Sequence, residues 1–200
     1  MFSIAYNEDK KRDNNKDDNT MRITITGKIG SGKSTVAKEI AKKLGYKYYS
    51  VGMLMGELAL KRGISLMELS KIAEKDTEVD FYLDKRQKQI GRENNLVMDS
   101  RLGFHFIPDS FKIFLDVQLD ESAKRVFQDR KNRADEKFSS LQNAKNQVNA
   151  REESEKKRYK EYYKIDPYDL KHYDLVVDTT SIPANEVVEK ILKEFGKVKE

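Results

Sequence analysis

The 200-residue chain has no cysteine and no tryptophan, and only two histidines and three prolines. Without cysteine there are no disulfides and no thiolate metal sites, and a reducing compartment is compatible with the composition. The two histidines, His105 and His172, stand alone in the sequence and read as structural. No apolar run approaches the roughly 20 residues of a membrane span, and no apolar stretch near the start resembles a signal peptide. The expected location is therefore the cytoplasm, with no membrane partner. Apolar residues are missing altogether from Asp9 to Thr20, so residues 1–20 read as a disordered polar extension. Residues 21–200 suit a single domain with a sizeable core.

What is abundant is charge of both signs: 39 basic and 34 acidic residues give a formal net charge of +5. A mild basic excess suits anionic substrates and also weak nucleic-acid binding. Here basic residues are interspersed with acidic ones, which argues against a specific nucleic-acid surface. Small-molecule substrates and a monomer are the expectation.

The chemistry is concentrated in Met21–Ala37. Gly27-Lys28-Ile29-Gly30-Ser31-Gly32-Lys33-Ser34, followed by Thr35, fits G-x-x-x-x-G-K-[ST] at every fixed position. Arg22–Thr26 carries four β-branched residues in five and predicts a short buried strand. After Lys33, the apolar positions Val36, Ala37, Ile40, Ala41 and Leu44 recur at helical spacing. The glycines thus lie between a strand and a helix. Polyphosphate oxygens need close approach to backbone N–H groups, which a Cβ obstructs, and a helix N-terminus favours the anion. Lys33 can reach the β- and γ-phosphates, and the Ser34 hydroxyl can serve Mg²⁺.

Further strands are predicted at Tyr46–Ser50, Leu96–Met98, Phe111–Val117 and Tyr173–Asp178. Helices are predicted at Met53–Lys61, Ser65–Glu74 (opened by a capping box), Thr77–Ile90, about Asp120–Lys131, Asn143–Lys164 and Ala184–Phe195. Strands separated by helices give an α/β fold: three layers, α/β/α, around a five-stranded parallel sheet. Runs such as Ile113-Phe114-Leu115 require helices on both faces.

Ligands gather at the carboxyl ends of parallel strands. Asp99 ends one of them and can hold Mg²⁺ directly or through water, while Arg101 can grip a phosphate; a surface turn is the plain alternative. Arg151, Glu155 and Arg158 share a helix face, which charge pattern alone reads as solvated. Arg125, Arg130 and Arg133 fall in a polar stretch, about 125–150, that suits a lid over the triphosphate or an exposed helix end. Ser50 and Gly52 suit a bound nucleotide, or an ordinary N-cap and turn. Tyr159, Tyr162 and Tyr163 read as packing rather than base stacking.

Together these residues resemble the cytidylate kinase family in its short, archaeal-type form, within the P-loop nucleoside monophosphate kinases. The marks are GKIGSGKST, YYSVG at 48–52, DTEVDFYLDKRQ at 76–87, DSRLG at 99–103, PDSFKIFLDV at 108–117, REESEKKRYKEYY at 151–163 and YDLVVDTT at 173–180. The resemblance implies MgATP-dependent phosphoryl transfer to CMP or dCMP, with acceptor-binding helices at about 52–91. It places Lys33 and Ser34 on phosphate and Mg²⁺, and Asp99 near the metal. Arg101, Arg151 and Arg158 go to phosphates, Glu155 to the cytosine side, Arg125 near the ATP base and Ser50 at the acceptor. Two departures bear on the acceptor. Gly56 stands where the family carries a phosphate-binding arginine, for which Lys61 or Arg62 would have to substitute, and Met53 stands where an acid is common. The alternatives are a P-loop kinase for another monophosphate or small acceptor, and an ATP-binding, RNA-associated switch.

Overall fold

The computed structural model describes residues 5–6, 21–73, 77–129 and 138–199; of 5, 6 and 199 only the backbone is described. The elements are β1 (Ala5–Tyr6), β2 (Arg22–Gly27), α1 (Lys33–Leu44), β3 (Lys47–Ser50), α2 (Val51–Arg62), α3 (Leu66–Ala73), α4 (Thr77–Ile90), β4 (Leu96–Asp99), α5 (Gly103–Phe106), β5 (Phe111–Asp116), α6 (Leu119–Gln128), α7 (Leu141–Tyr163), a 3₁₀ turn (Leu170–His172), β6 (Leu175–Asp178) and α8 (Ala184–Lys199).

The sheet order is β1-β6-β5-β2-β4-β3, and its five strands β2 to β6 are parallel, as the pattern predicts. Strand β2 is central because it alternates two ways of being buried. Ile23 and Ile25 enter one core, while Thr24 and Thr26 face the other side with their hydroxyls satisfied: Thr24 Oγ1 lies 2.8 Å from Ser110 Oγ, and Thr26 Oγ1 donates to Ser100 O at 2.9 Å. Register puts Ile25 beside Asp99 and Gly27 beside Leu115, so the ends of β2, β4 and β5 open at one edge.

Two cores sandwich the sheet. On one face α1 and α8 bury Val36, Ile40, Val188 and Ile191 against Ile23, Ile25 and Ile113. On the other, α2 to α5 bury Leu54, Leu69, Val79 and Leu83 against Leu96, Met98 and Phe114, with Tyr159 and Tyr163 of α7 packed on them. Ile29 joins Val126 of α6 and Val148 of α7 in a third, small cluster.

The differences from the pattern are local. Ala5–Tyr6, within the stretch read as disordered, adds an antiparallel edge strand on Val176 and Leu175. An open sheet edge offers unpaired backbone groups to any extended segment, whatever its side chains. The rest of 1–20 lies outside the described residues. The helix expected from Met53 starts at Val51, because the Ser50 hydroxyl accepts from Met53 N and sets the cap two residues earlier. The predicted capping box is present: Ser65 N donates to Glu68 Oε2 at 2.8 Å, and Glu68 N to Ser65 Oγ at 3.2 Å. The short α5 has too few residues to show a period. The stretch read as a lid spans the end of α6, the start of α7 and residues 130–137, which, with Arg130 and Arg133, lie outside the described residues. Among the described residues no helix is long and apolar enough to cross a membrane.

Candidate active site

The loop between β2 and α1 is shaped by its glycines. Gly27 has φ +154°, and a Cβ there would lie 2.3 Å from Leu115 O; at Gly30, with φ +73°, it would lie 2.9 Å from Ser122 O. Only glycine fits either place. Lys28 N donates to Leu115 O at 3.0 Å, and Ser122 Oγ donates to Ile29 O at 2.7 Å. Because the C=O and N–H of a trans peptide point oppositely, holding the Ile29 carbonyl against α6 turns the Gly30 N–H away from it. Ser31 Oγ is buried with no hydrogen-bond partner, and Gly32, at φ +84°, caps α1. An orphaned hydroxyl, a cradle that a Cβ would fill and a helix N-terminus fit a polyphosphate.

Lys33 opens α1. Burial, and then the nearby Arg101 guanidinium, depress its ammonium to about 7 against the pull of Asp99 and Glu155. Ser34 Oγ donates to Asp99 Oδ2 at 2.5 Å, with the Tyr48 hydroxyl at 3.4 Å on the same oxygen. This hydroxyl–carboxylate pair supplies the hard oxygen donors that suit Mg²⁺. Thr35, Ser31 and Gly32 line a cavity of about 280 Å³ shared with Arg125, Thr179 and Pro183. Arg125 is committed to framing it, donating to Thr179 O at 2.7 Å, Thr180 O at 3.1 Å and Gly30 O at 3.3 Å, and pairing with Glu121 at 3.0 Å.

Predicted charged side chains from two separate segments, Arg101 after β4 and Arg151 and Glu155 on α7, meet here. Arg101 Nη1 donates to Gly27 O and its Nε to Glu155 Oε2 at 2.7 Å. Glu155 also accepts from the Tyr168 hydroxyl at 3.0 Å and from Arg151 Nε at 3.1 Å. Burial opposes both charges of the pair, yet each side prevails: Glu155 holds Arg101 above its ordinary value, and Arg101 with Arg151 holds Glu155 below the usual carboxylate range. Arg158 stands one helical turn on, 5.0 Å from the Tyr159 ring centroid and donating to its hydroxyl at 3.3 Å. The helix face that charge spacing alone reads as solvated thus carries a side chain at position 155 that is only 12% exposed.

Other predicted residues lie further out. Ser50 caps α2. At Gly52 the nearest atom to an added Cβ is 3.8 Å away, so the fold itself demands no glycine there, and Gly56 faces open space. Lys61 donates to Tyr82 OH at 3.2 Å, and Arg62 ends α2.

Sequence reasoning missed three features. Glu152 Oε1 accepts from Ile29 N at 3.1 Å, pinning α7 to the loop; no local pattern signals a contact across 123 positions. Lys28 pairs with Asp116 at 2.7 Å, beside the end of β5. A cleft of about 90 Å³ between α4, α7 and the end of β4 is lined by Asp80, Asp84, Gln87, Ser100, Arg101 and Tyr159. The spacing of 80, 84 and 87 marks one helix face, and that was the available signal.

Residues 22–181 match the Cytidylate kinase-like family. The chain is 38% identical over 180 residues to the cytidylate kinase of Methanocella arvoryzae, covering 90% of this chain and 99% of that one. It is 38% identical over 159 residues to the cytidylate kinase of Methanothrix thermoacetophila, covering 80% and 88%. A shikimate kinase structure from Bacteroides thetaiotaomicron superimposes with a TM-score of 0.64 at 13% identity, over 88% of this chain and 99% of that one, a likeness of fold alone. A parallel sheet with the glycine loop at its centre, and arginines gathered where the matched segment ends β4 and crosses α7, go with these matches: the chain belongs to the Cytidylate kinase-like family.

Proposed function

We propose that the protein is a cytidylate kinase that transfers the γ-phosphoryl group of ATP to CMP or dCMP, releasing ADP and CDP or dCDP. The observation that carries this reading is Arg101. It bonds at once to Gly27 O of the phosphate loop and to Glu155 of α7, at the wall of the cleft between α4 and α7.

In this reading the loop from Gly27 to Ser34 cradles the triphosphate of ATP, with Lys33 on its β- and γ-oxygens. Arg125 and Thr35 border the neighbouring cavity, on the nucleoside side. Ser34, with Asp99 through water, would hold Mg²⁺, which supplies charge neutralisation across the β- and γ-phosphates. The acceptor phosphate lies between Arg101, Arg151 and Arg158, whose charges offset its own. Ser50 and Gly52 flank Val51, which lines the cleft. Glu155 holds two of these guanidiniums in place, so they need no reorganisation as charge shifts. No general base is required, because the attacking oxygen is already an anion. Closing α6 and α7 over the loop would exclude water and limit hydrolysis. The enzyme acts on small molecules, as a monomer in the cytoplasm.

The open space at Gly56 favours a second reading, in which the same machinery serves another monophosphate. One experiment separates them: ADP release from MgATP with CMP, dCMP, UMP, AMP, GMP or no acceptor, with Lys33→Ala as control. Turnover dependent on CMP or dCMP and lost in the variant is the expected result. Turnover only with a different acceptor would overturn the cytidylate assignment.

A further inference from the structure

The cleft beside Arg101 has a wall that phosphate binding does not use. Asp80, Asp84 and Gln87 follow one another at i, i+4 and i+7 on α4, and all three line it. Two carboxylates there work against an anionic ligand, so they need another purpose. Their own surroundings leave them acceptors to spare. Asp84 takes the Tyr163 hydroxyl on Oδ2 at 2.8 Å, which fixes the carboxylate and leaves Oδ1. Among the described residues no hydrogen-bond donor reaches Asp80. Gln87 is 3% exposed, and its orientation is set by a chain: Leu102 N donates to Ser100 Oγ at 3.3 Å, and Ser100 Oγ donates to Gln87 Oε1 at 2.5 Å. With its oxygen committed, Gln87 presents its amide N–H as a donor at the cleft wall. The wall therefore reads acceptor, acceptor, donor along one helix face.

A pyrimidine with an exocyclic amino group next to a ring acceptor is the complement of that order. Cytosine offers two amino protons at C4 and an acceptor at N3. Uracil offers the reverse, a carbonyl at C4 and a proton on N3. We infer that Asp80 and Asp84 accept the 4-amino protons of the acceptor base and that the Gln87 amide donates to its ring edge, so this face of α4 selects cytosine over uracil. The inference rests on the kinase reading above. It divides the labour in the cleft: α7 and Arg101 hold the phosphate, while α4 reads the base. Glu155, whose carboxylate already receives Arg101, Arg151 and Tyr168, serves the arginines rather than the base.

The test compares kcat/KM for CMP and UMP in the wild type and in Asp80→Asn and Asp84→Asn. An asparagine amide can donate to the uracil carbonyl. Each variant should lower the CMP-to-UMP ratio about 10- to 100-fold, the range of a hydrogen bond to a charged group, with the KM for MgATP unchanged as evidence of an intact fold. A measurement without mutation accompanies it: the 2-pyrimidinone analogue of CMP, which lacks the amino group, should lose a similar factor with the wild-type enzyme. If the wild type uses CMP but tolerates the analogue fully, or both variants keep the ratio within about threefold, base reading lies elsewhere and the kinase assignment stands. If the wild type phosphorylates no pyrimidine monophosphate, the underlying reading fails, and this one with it.

Discussion

Replacing Glu155 by alanine should expose how the arginine cluster is held. The partners are a guanidinium and a carboxylate 2.7 Å apart, 15% and 12% exposed. At an effective dielectric near 20 the gross attraction is about 6 kcal/mol, against which the desolvation of both groups must be set. Removing one member of such a buried pair costs about 3–5 kcal/mol, because the other charge stays buried. Arg101 keeps Gly27 O as an acceptor, which places the expected loss near the lower end, about 3 kcal/mol. The Arg151 contribution is small, since that side chain is 52% exposed and screened. For a domain of this size the melting temperature should drop by roughly 6–12 °C. The pH dependence fixes the cause. Glu155 is held below its ordinary 4.5, so its stabilisation is full above that value and is lost as pH falls through the folded value. Urea unfolding followed by circular dichroism should show a gap of about 3 kcal/mol at pH 7 that narrows in acid. Glu155→Gln, which keeps an acceptor for Tyr168, should fall between. A gap under about 1 kcal/mol at pH 7, or one that does not narrow in acid, would refute the reasoning.

Two further outcomes follow from the loop. Lys33, depressed to about 7 by burial and Arg101, is largely neutral at pH 8.5, and a bound triphosphate should restore its charge. MgATP binding should then take up close to one proton at pH 8.5 and far less at pH 6, read as the dependence of calorimetric enthalpy on buffer ionisation enthalpy; no uptake at the higher pH would count against it. Gly27→Ala puts a Cβ 2.3 Å from Leu115 O at a φ of +154°, so the variant should be destabilised by several kcal/mol or fail to fold, whereas Gly56→Ala, facing open space, should melt at least as high as the parent. Thermal melts of the two decide it.

The strand–loop–helix unit was legible because three independent signals coincide over Arg22–Leu44: β-branched density, glycine spacing and a 3.6-residue apolar period. The parallel sheet followed from strands alternating with helices. The site was legible in parts. Lys33, Ser34 and Asp99 sit where strand ends must converge, so topology located them. Arg101 and Glu155 were named, but their burial was not visible, since a charge pattern on α7 records what lies along one helix and nothing of what lies opposite it. Asp80, Asp84 and Gln87 were hidden for the same reason: an i, i+4, i+7 polar row looks the same whether it faces water or a cleft. Glu152 Oε1 on Ile29 N and the β1 edge pairing are long-range contacts to backbone groups, which leave no trace in side-chain periodicity.

In the proposed assignment, the bond from Arg101 to Gly27 O links the two ends of the reaction. The same guanidinium that lines the cleft is fastened to the first residue of the glycine loop. On the proposed assignment, a phosphate arriving in the cleft would share Arg101 with that carbonyl and with Glu155. On that assignment, occupancy of the cleft should alter the free energy of occupying the loop. Because binding free energies are linked in both directions, the donor must shift the acceptor's affinity by the same factor as the acceptor shifts the donor's. The size of that coupling then rests on one side chain.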